Sequence, residues 1–372
     1  MIKVGTEREI LFDKSLREKR HETYDINNYE LVDYTFKDGG DRKVYKNFNF
    51  SIFLTDKCNA DCKFCVAQLR YEHKNLMYNK EKIIPDTITP SDIRYAGYKE
   101  KYLQRLEEVL STIRPLNPSV SITGGEPTIN PDLLMDVMYL VNKYNFRKRT
   151  LTTNGSYLSH NMIKKFAKYK LDHINISIPH YDPKVNHALM AMHPLERNEF
   201  MILDSLKENI DFIKNEGISP RISCLLTKEG ISTVEDIKRY IDIFNKYYWC
   251  DNFIFRQMMQ HDKTAINQEK IEYCDKNVVY LDDIWKEMDK DEYFTPYLNL
   301  IGYYYYVEIY KHNNITIASE AADLNVQYNE KKKNKDLVYE MVFHPNGNLC
   351  GSWIDKEDIL DKYDNNLLKE SE

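Results

Sequence analysis

No stretch of this chain approaches the roughly 18 consecutive apolar residues that a membrane-spanning helix needs. The opening residues, Met1-Ile-Lys-Val-Gly-Thr-Glu-Arg-Glu9, lack the charged-then-apolar order of a secretory signal. Excess charge of one sign is also lacking, since 52 basic and 58 acidic side chains leave a formal net charge of −6. That balance gives nucleic acid or an anionic membrane no electrostatic hold, so neither is expected as a partner. Cysteine is scarce, at seven in 372 residues. An odd count without a secretion signal fits a reducing cytoplasm rather than a disulfide framework. Internal repeats and low-complexity linkers are absent. What remains is globular: 42% apolar and 13% aromatic residues can fill a core. The length suits one large α/β domain with an appendage.

Three of the seven cysteines crowd into one short stretch, Leu54-Thr-Asp-Lys-Cys58-Asn-Ala-Asp-Cys62-Lys-Phe64-Cys65. Their C-x3-C-x2-C spacing follows the apolar run Phe50-Ser-Ile-Phe-Leu54, which reads as a short strand. Three neighbouring thiols cannot pair off without leaving one over. They suit a soft metal or an iron–sulfur cluster. A closed zinc site wants four protein ligands, and the nearest further candidate is His73. Three ligands leave one iron of a four-iron cluster open to another molecule.

Residues 1–50 read as an irregular N-terminal extension. From 51 to 262 short apolar strands alternate with helical patterns. Leu103, Leu106, Leu110 and Ile113 mark one helical face within 91–113, ended by Pro115 and Pro118. Ser119–Thr123 is a strand running into Gly124-Gly-Glu-Pro127, and Pro131 opens the next helix. Arg149–Thr153 is a strand closed by Asn154-Gly155, and His173–Ile178 follows a helix near 159–169. A loop through His193-Pro194 leads to a helix marked by Leu203, Leu206, Ile210 and Ile213. Pro220–Leu226 and Asn252–Arg256 are the fifth and sixth strands, with a helix around Val234–Phe244 between them. Parallel neighbours need crossover helices, so six such units predict an α/β fold, a partial (β/α)6 TIM-like barrel two units short of closure. Past 262 the alternation stops. A helix at 278–289, the run Tyr303–Tyr306, a lysine-rich turn at 331–335 and a hairpin of Leu337–His344 with Asn348–Ile354 predict a C-terminal α+β extension, 263–372, that closes the barrel.

The chemically suggestive residues fall at the predicted strand ends, which share one rim of a parallel barrel. Here the chain resembles the radical S-adenosylmethionine (SAM) superfamily. Cys58-x3-Cys62-x2-Cys65, with aromatic Phe64 before the third cysteine, matches its cluster motif as it stands. Thr123-Gly-Gly-Glu-Pro127 resembles its methionine-binding strand end, and the likeness runs from about residue 51 to 257. The wording is similar to the branch with molybdenum-cofactor cyclases and peptide-modifying enzymes.

The resemblance implies that Cys58, Cys62 and Cys65 bind three irons of one [4Fe-4S] cluster, with SAM on the fourth. Gly124, Gly125 and Glu126 would hold the methionine amine and Phe64 would lie near the adenine. Asn154 and Ser177 would contact methionine or ribose, and Arg221 the carboxylate. Reduction by a partner such as flavodoxin or ferredoxin would cleave SAM to a 5′-deoxyadenosyl radical that takes hydrogen from a substrate. Relatives often carry further cluster cysteines near their C-terminus. Here Cys250, Cys274 and Cys350 are scattered, so a single cluster is expected and 263–372 reads as a degenerate auxiliary-cluster domain. Cys350 is the one candidate hydrogen donor. A small-molecule substrate is expected, with a ribosomally made peptide to be epimerised or cross-linked as the alternative. A different class of reading is a zinc- or cluster-binding regulatory protein on the same fold.

Overall fold

The computed structural model describes residues 3–4, 7–20, 24–69, 98–191, 201–261 and 265–363. The chain opens with β1 (Lys3–Val4), β2 (Glu7–Leu11) and the hairpin β3 (Leu31–Phe36) and β4 (Gly40–Tyr45). The barrel strands and helices then follow as β5 (Asn49–Phe53), α1 (Tyr98–Ile113), β6 (Ser119–Thr123), α2 (Pro131–Lys143), β7 (Lys148–Thr153) and α3 (His160–Lys168). They continue as β8 (His173–Ser177), α4 (Pro183–Met190), α5 (Met201–Asn215), β9 (Ser219–Leu225), α6 (Val234–Tyr248) and β10 (Asn252–Arg256). The remainder comprises α7 (Gln268–Asn277), α8 (Leu281–Met288), β11 (Thr295–Ile301), β12 (Tyr305–His312), β13 (Ile315–Ala322) and α9 (Leu324–Lys333). Short strands β14 (Leu337–Val338), β15 (Met341–Phe343), β16 (Leu349–Cys350) and β17 (Ile359–Asp361) end it.

The helices start where the sequence supplies caps. Asn130 accepts from the Leu133 amide with Pro131 in the first turn, and Ser159 and Asp182 cap α3 and α4 the same way. Thr233 and Asp236 form a reciprocal capping box on α6.

Strands β5 to β10 lie side by side in chain order, all parallel. Right-handed crossovers stepping always in one direction put every helix on one face, which is the barrel arrangement. Val120, Ile122, Leu151, Ile174, Ile176, Ile222, Phe253 and Phe255 face those helices and share one core with Leu133, Ile163, Ile210 and Ile241. Period-two alternation sends Ser121, Thr150, Thr152, Asn175, Ser177, Arg221 and Arg256 to the concave face. Bulky branched residues usually fill a barrel interior. This one is polar and partly open.

The parallel row is longer than the sequence alternation implied. β13 adds parallel to β10, and β15 adds parallel to β5, so the C-terminal segment flanks the six-stranded core on both sides. Helix α9 carries the chain from one flank to the other. The sheet ends on β1 and β17 and does not close on itself.

Two expectations need correction. The N-terminal 50 residues are not irregular: β2 pairs with β11, and β3–β4 form a second sheet with β14. Arg17 ties this segment to the C-terminal part through Glu308 of β12 at 2.5 Å and Asp289 at the end of α8 at 2.7 Å. The C-terminal hairpin is also shorter than predicted. Within the predicted hairpin only Met341–Phe343 and Leu349–Cys350 pair with each other, while Leu337 and Val338 join β4. His73, His193, Pro194 and positions 91–97 lie outside the described residues. Among the described residues no helix is long and apolar enough to cross a membrane.

Candidate cluster site at the barrel rim

The loop that leaves β5 runs beside the loop that leaves β6. Gly125 donates to the Thr55 carbonyl at 2.6 Å and Glu126 to the Lys57 carbonyl at 2.8 Å. Such close backbone approach leaves no room for side chains. A Cβ on Gly125 would lie 2.2 Å from the Lys57 oxygen, and one on Gly124, at φ +147°, would lie 2.5 Å from that of Thr55. The glycine pair therefore sets where the cysteine loop can sit. On its far side Asp61 and Lys63 donate to the carbonyls of Met190 and Leu189 at the end of α4, at 3.1 and 3.2 Å.

Glu126, 1% exposed, is the knot between three strand ends. One carboxylate oxygen accepts from the Thr128 amide and hydroxyl at 2.9 and 2.5 Å and from the Thr153 hydroxyl at 2.6 Å. The other accepts from the Asn154 amide at 2.7 Å. Burial pushes its pKa up, and these bonds from Thr128, Thr153 and Asn154 oppose that rise. Asn154 in turn donates to Asn59 at 2.8 Å, Asn59 to Ser156 at 3.0 Å, and Ser156 back to Asn154 at 2.6 Å. This ring joins the cysteine loop to the end of β7. Glu126→Ala, which strands four buried donors, is expected to lower unfolding free energy by about 2–4 kcal/mol. A urea midpoint equal to that of the wild type would refute this role.

Cys58, Cys62 and Cys65 are half-buried on this loop. Burial, with the nearby Glu126 charge, pushes the Cys58 thiol up to about 12, and burial raises Cys62 and Cys65 as well. Cys62 feels both other thiols, so the three sulfurs share one neighbourhood. As free thiols they stay neutral, and a bound metal centre supplies the positive charge that thiolates need. Among the described residues no three His, Cys, Asp or Glu side chains close around a point as ligands of one ion do. A four-iron cluster takes its thiolates on separate irons, so the trio fits that group without meeting at a point. Two buried acceptors on the same loop, Asp56 Oδ1 and Gln68 Oε1, have no donor among the described residues. Burial holds the Asp56 carboxyl up at about 6. Both suit a ligand that brings ammonium or hydroxyl donors.

Cys58, Cys62, Cys65, Gly124, Gly125, Glu126 and Asn154 thus form one connected unit. Phe64 is half-buried in the turn between Cys62 and Cys65, which a 3.1 Å bond from the Cys65 amide to the Cys62 carbonyl closes. Ser177 ends β8 on the concave face, opposite Ser223. Arg221 is level with Asn175 of β8, two residues before Ser223 on β9. There its Nε donates to Asn252 at 3.1 Å. Arg256 ends β10, where it pairs with Glu320 at 3.1 Å and donates to Ser223 at 2.8 Å. Cys250, Cys274 and Cys350 are buried on separate elements: the loop before β10, α7 and β16. Cys350 lies 3.7 Å from the Asp355 carbonyl.

Two participants escaped the sequence reading. Asp56 reads there as one more loop carboxylate. Lys270, in the first turn of α7, sits in a polar stretch, Gln268-Glu-Lys-Ile, that has the look of a solvated helix face. Its ammonium donates to Asp61 Oδ1 and the Cys62 carbonyl, both at 2.8 Å.

Fold and site together define an open α/β barrel that carries a three-cysteine loop on its rim. Residues 52–241 match the family model of the Radical SAM superfamily, and the chain belongs to that superfamily of enzymes. A probable GTP 3′,8-cyclase of Thermococcus kodakarensis is 28% identical over 166 residues, 44% of this chain and 44% of that protein. A GTP 3′,8-cyclase of Vibrio vulnificus is 25% identical over 191 residues, 48% of this chain and 49% of its own length. An S-adenosylmethionine-dependent nucleotide dehydratase of a Fibrobacter species is 27% identical over 184 residues, covering 49% of this chain and 48% of the dehydratase. The chain spans about half the length of the curated relatives it matches. Among solved structures, Streptococcus suis SuiB bound to S-adenosylmethionine aligns with TM-score 0.49 and 16% identity over 83% of this chain and 61% of SuiB.

Proposed function

We propose that Cys58, Cys62 and Cys65 hold three irons of a single [4Fe-4S] cluster whose fourth iron takes SAM. The observation that carries this is the half-buried thiol trio, fixed at the barrel rim by the Gly124-Gly125-Glu126 strand end. When bound, such a cluster supplies one electron to SAM, whose cleavage to methionine and a 5′-deoxyadenosyl radical starts hydrogen abstraction from a substrate. The protein's own residues orient and shield. Gly124 and Gly125 admit the cysteine loop, Glu126 and Asn154 hold the strand ends together, and Phe64 covers the adenine side. Asp56 accepts from a donor on the bound nucleoside or amino acid. A flavodoxin or ferredoxin provides the electron.

The substrate in this reading is a small polar molecule within the concave face. The Ser, Thr, Asn and Arg lining of β6 to β10 supports it, as do the names of the nucleotide-directed relatives. Anaerobic reconstitution is expected to give about four irons per chain. With dithionite and SAM, 5′-deoxyadenosine should accumulate, faster when a nucleotide or similar small molecule is added. Zinc in place of iron, with no SAM binding, would overturn the enzyme reading. Stimulation by a peptide alone would move the substrate to ribosomally made peptides.

A further inference from the structure

The cysteine loop is fastened from outside the six-stranded core by α7. The Ile266 and Asn267 amides donate to the Leu69 carbonyl at 2.8 and 3.1 Å. One turn on, Lys270 has a side chain only 6% exposed. Its ammonium has three acceptors, Asp61 Oδ1 at 2.8 Å, the Cys62 carbonyl at 2.8 Å and the Asp61 carbonyl at 3.3 Å. All three belong to the cysteine loop. A buried ammonium is expensive unless paired and hydrogen-bonded, and Asp61 supplies the pairing. The positive charge is close enough to lower the pKa of Cys62 and Cys65 against the stronger effect of burial.

We propose that Lys270 is a positioning residue for the cluster, locking the Asp61–Cys62 backbone in its ligating form and favouring the reduced state through its fixed charge. This rests on the cluster reading above. Reduction moves one electron from an external donor, dithionite in vitro, onto the cluster. No bond forms or breaks, and the site becomes one unit more negative. An adjacent cation stabilises that more negative state, and net charge is one of the levers that set iron–sulfur potentials.

The full chain, reconstituted anaerobically, is titrated by electron paramagnetic resonance without SAM, and its iron is measured against a competing chelator. In Lys270→Gln, which can still donate but carries no charge, the reduced-to-oxidised ratio at fixed potential should fall on the order of tenfold, about 59 mV for one electron. Lys270→Met should in addition release iron about tenfold more readily, as loss of a supporting contact does. Lys270→Arg should stay close to wild type in both. Thermal melts check that each variant is folded, and if Lys270→Met is not, Lys270→Gln still decides the question. A folded Lys270→Gln with wild-type potential overturns this inference while leaving the cluster reading intact. A wild-type chain that takes up no iron overturns both.

Discussion

Replacing Cys58, Cys62 or Cys65 by alanine, one at a time, should abolish 5′-deoxyadenosine formation and leave iron well below one cluster per chain. Each thiolate would hold a separate iron, so no member of the trio can cover for another. The protein offers no nearby substitute built for the task. Cys274, within α7, is near enough to feel the Cys65 charge, but it is buried. Cys250 and Cys350 point to backbone carbonyls of Asn252 and Asp355 instead. Cys350→Ala is the control: it removes a more deeply buried residue's sulfur and should cost about 1 kcal/mol of stability while keeping iron. Iron analysis and chromatographic assay of 5′-deoxyadenosine distinguish the two kinds of site. Product from any one of the three variants at more than about a tenth of the wild-type rate would end the claim that all three are ligands.

How far the sequence carried this reading depends on the kind of signal each part left. The six core strands were legible because each is a short apolar run followed by a helical period, the pattern a parallel crossover demands. β13 and β15 were not. They reach the same sheet through an antiparallel hairpin and a polar helix, so no β–α rhythm announces them. Strands β3 and β4 hid for another reason. Their side chains are half exposed, and Asp33, Asp41, Arg42 and Lys43 break up the alternation that marks a buried strand.

At the site, motif spacing located the cysteines and the glycine pair. It also suggested that Glu126 faces a ligand. Chain spacing could not reveal that donors from Thr128, Thr153 and Asn154 converge on that carboxylate, because they come from two different strand ends. Lys270 lay further from view, since a lysine on a polar helix is normally a surface residue. Only the packing of α7 against the cysteine loop turns it inward.

The glycine pair carries the second large expectation. Gly125→Ala should fold less stably, by about 2–4 kcal/mol, and should lose most of its capacity to hold iron. The conflict is spatial. An alanine Cβ would stand 2.2 Å from the Lys57 oxygen, 2.7 Å from the Lys57 carbonyl carbon and 2.9 Å from the Asp56 oxygen. All three are backbone atoms, so no side chain can swing aside and the loop itself must retreat. Retreat breaks the 2.6 and 2.8 Å bonds that hold Thr55 and Lys57, and Cys58 is the next residue. Gly217→Ala provides the contrast. Gly217 has φ +77° but nothing within 4 Å of a Cβ, so that substitution strains the turn before β9 by about 1–2 kcal/mol and should spare the iron. Denaturant melts report the first quantity and iron per folded chain the second. If Gly125→Ala held as much iron as Gly217→Ala, the strand end after β6 would not be what positions the cysteine loop.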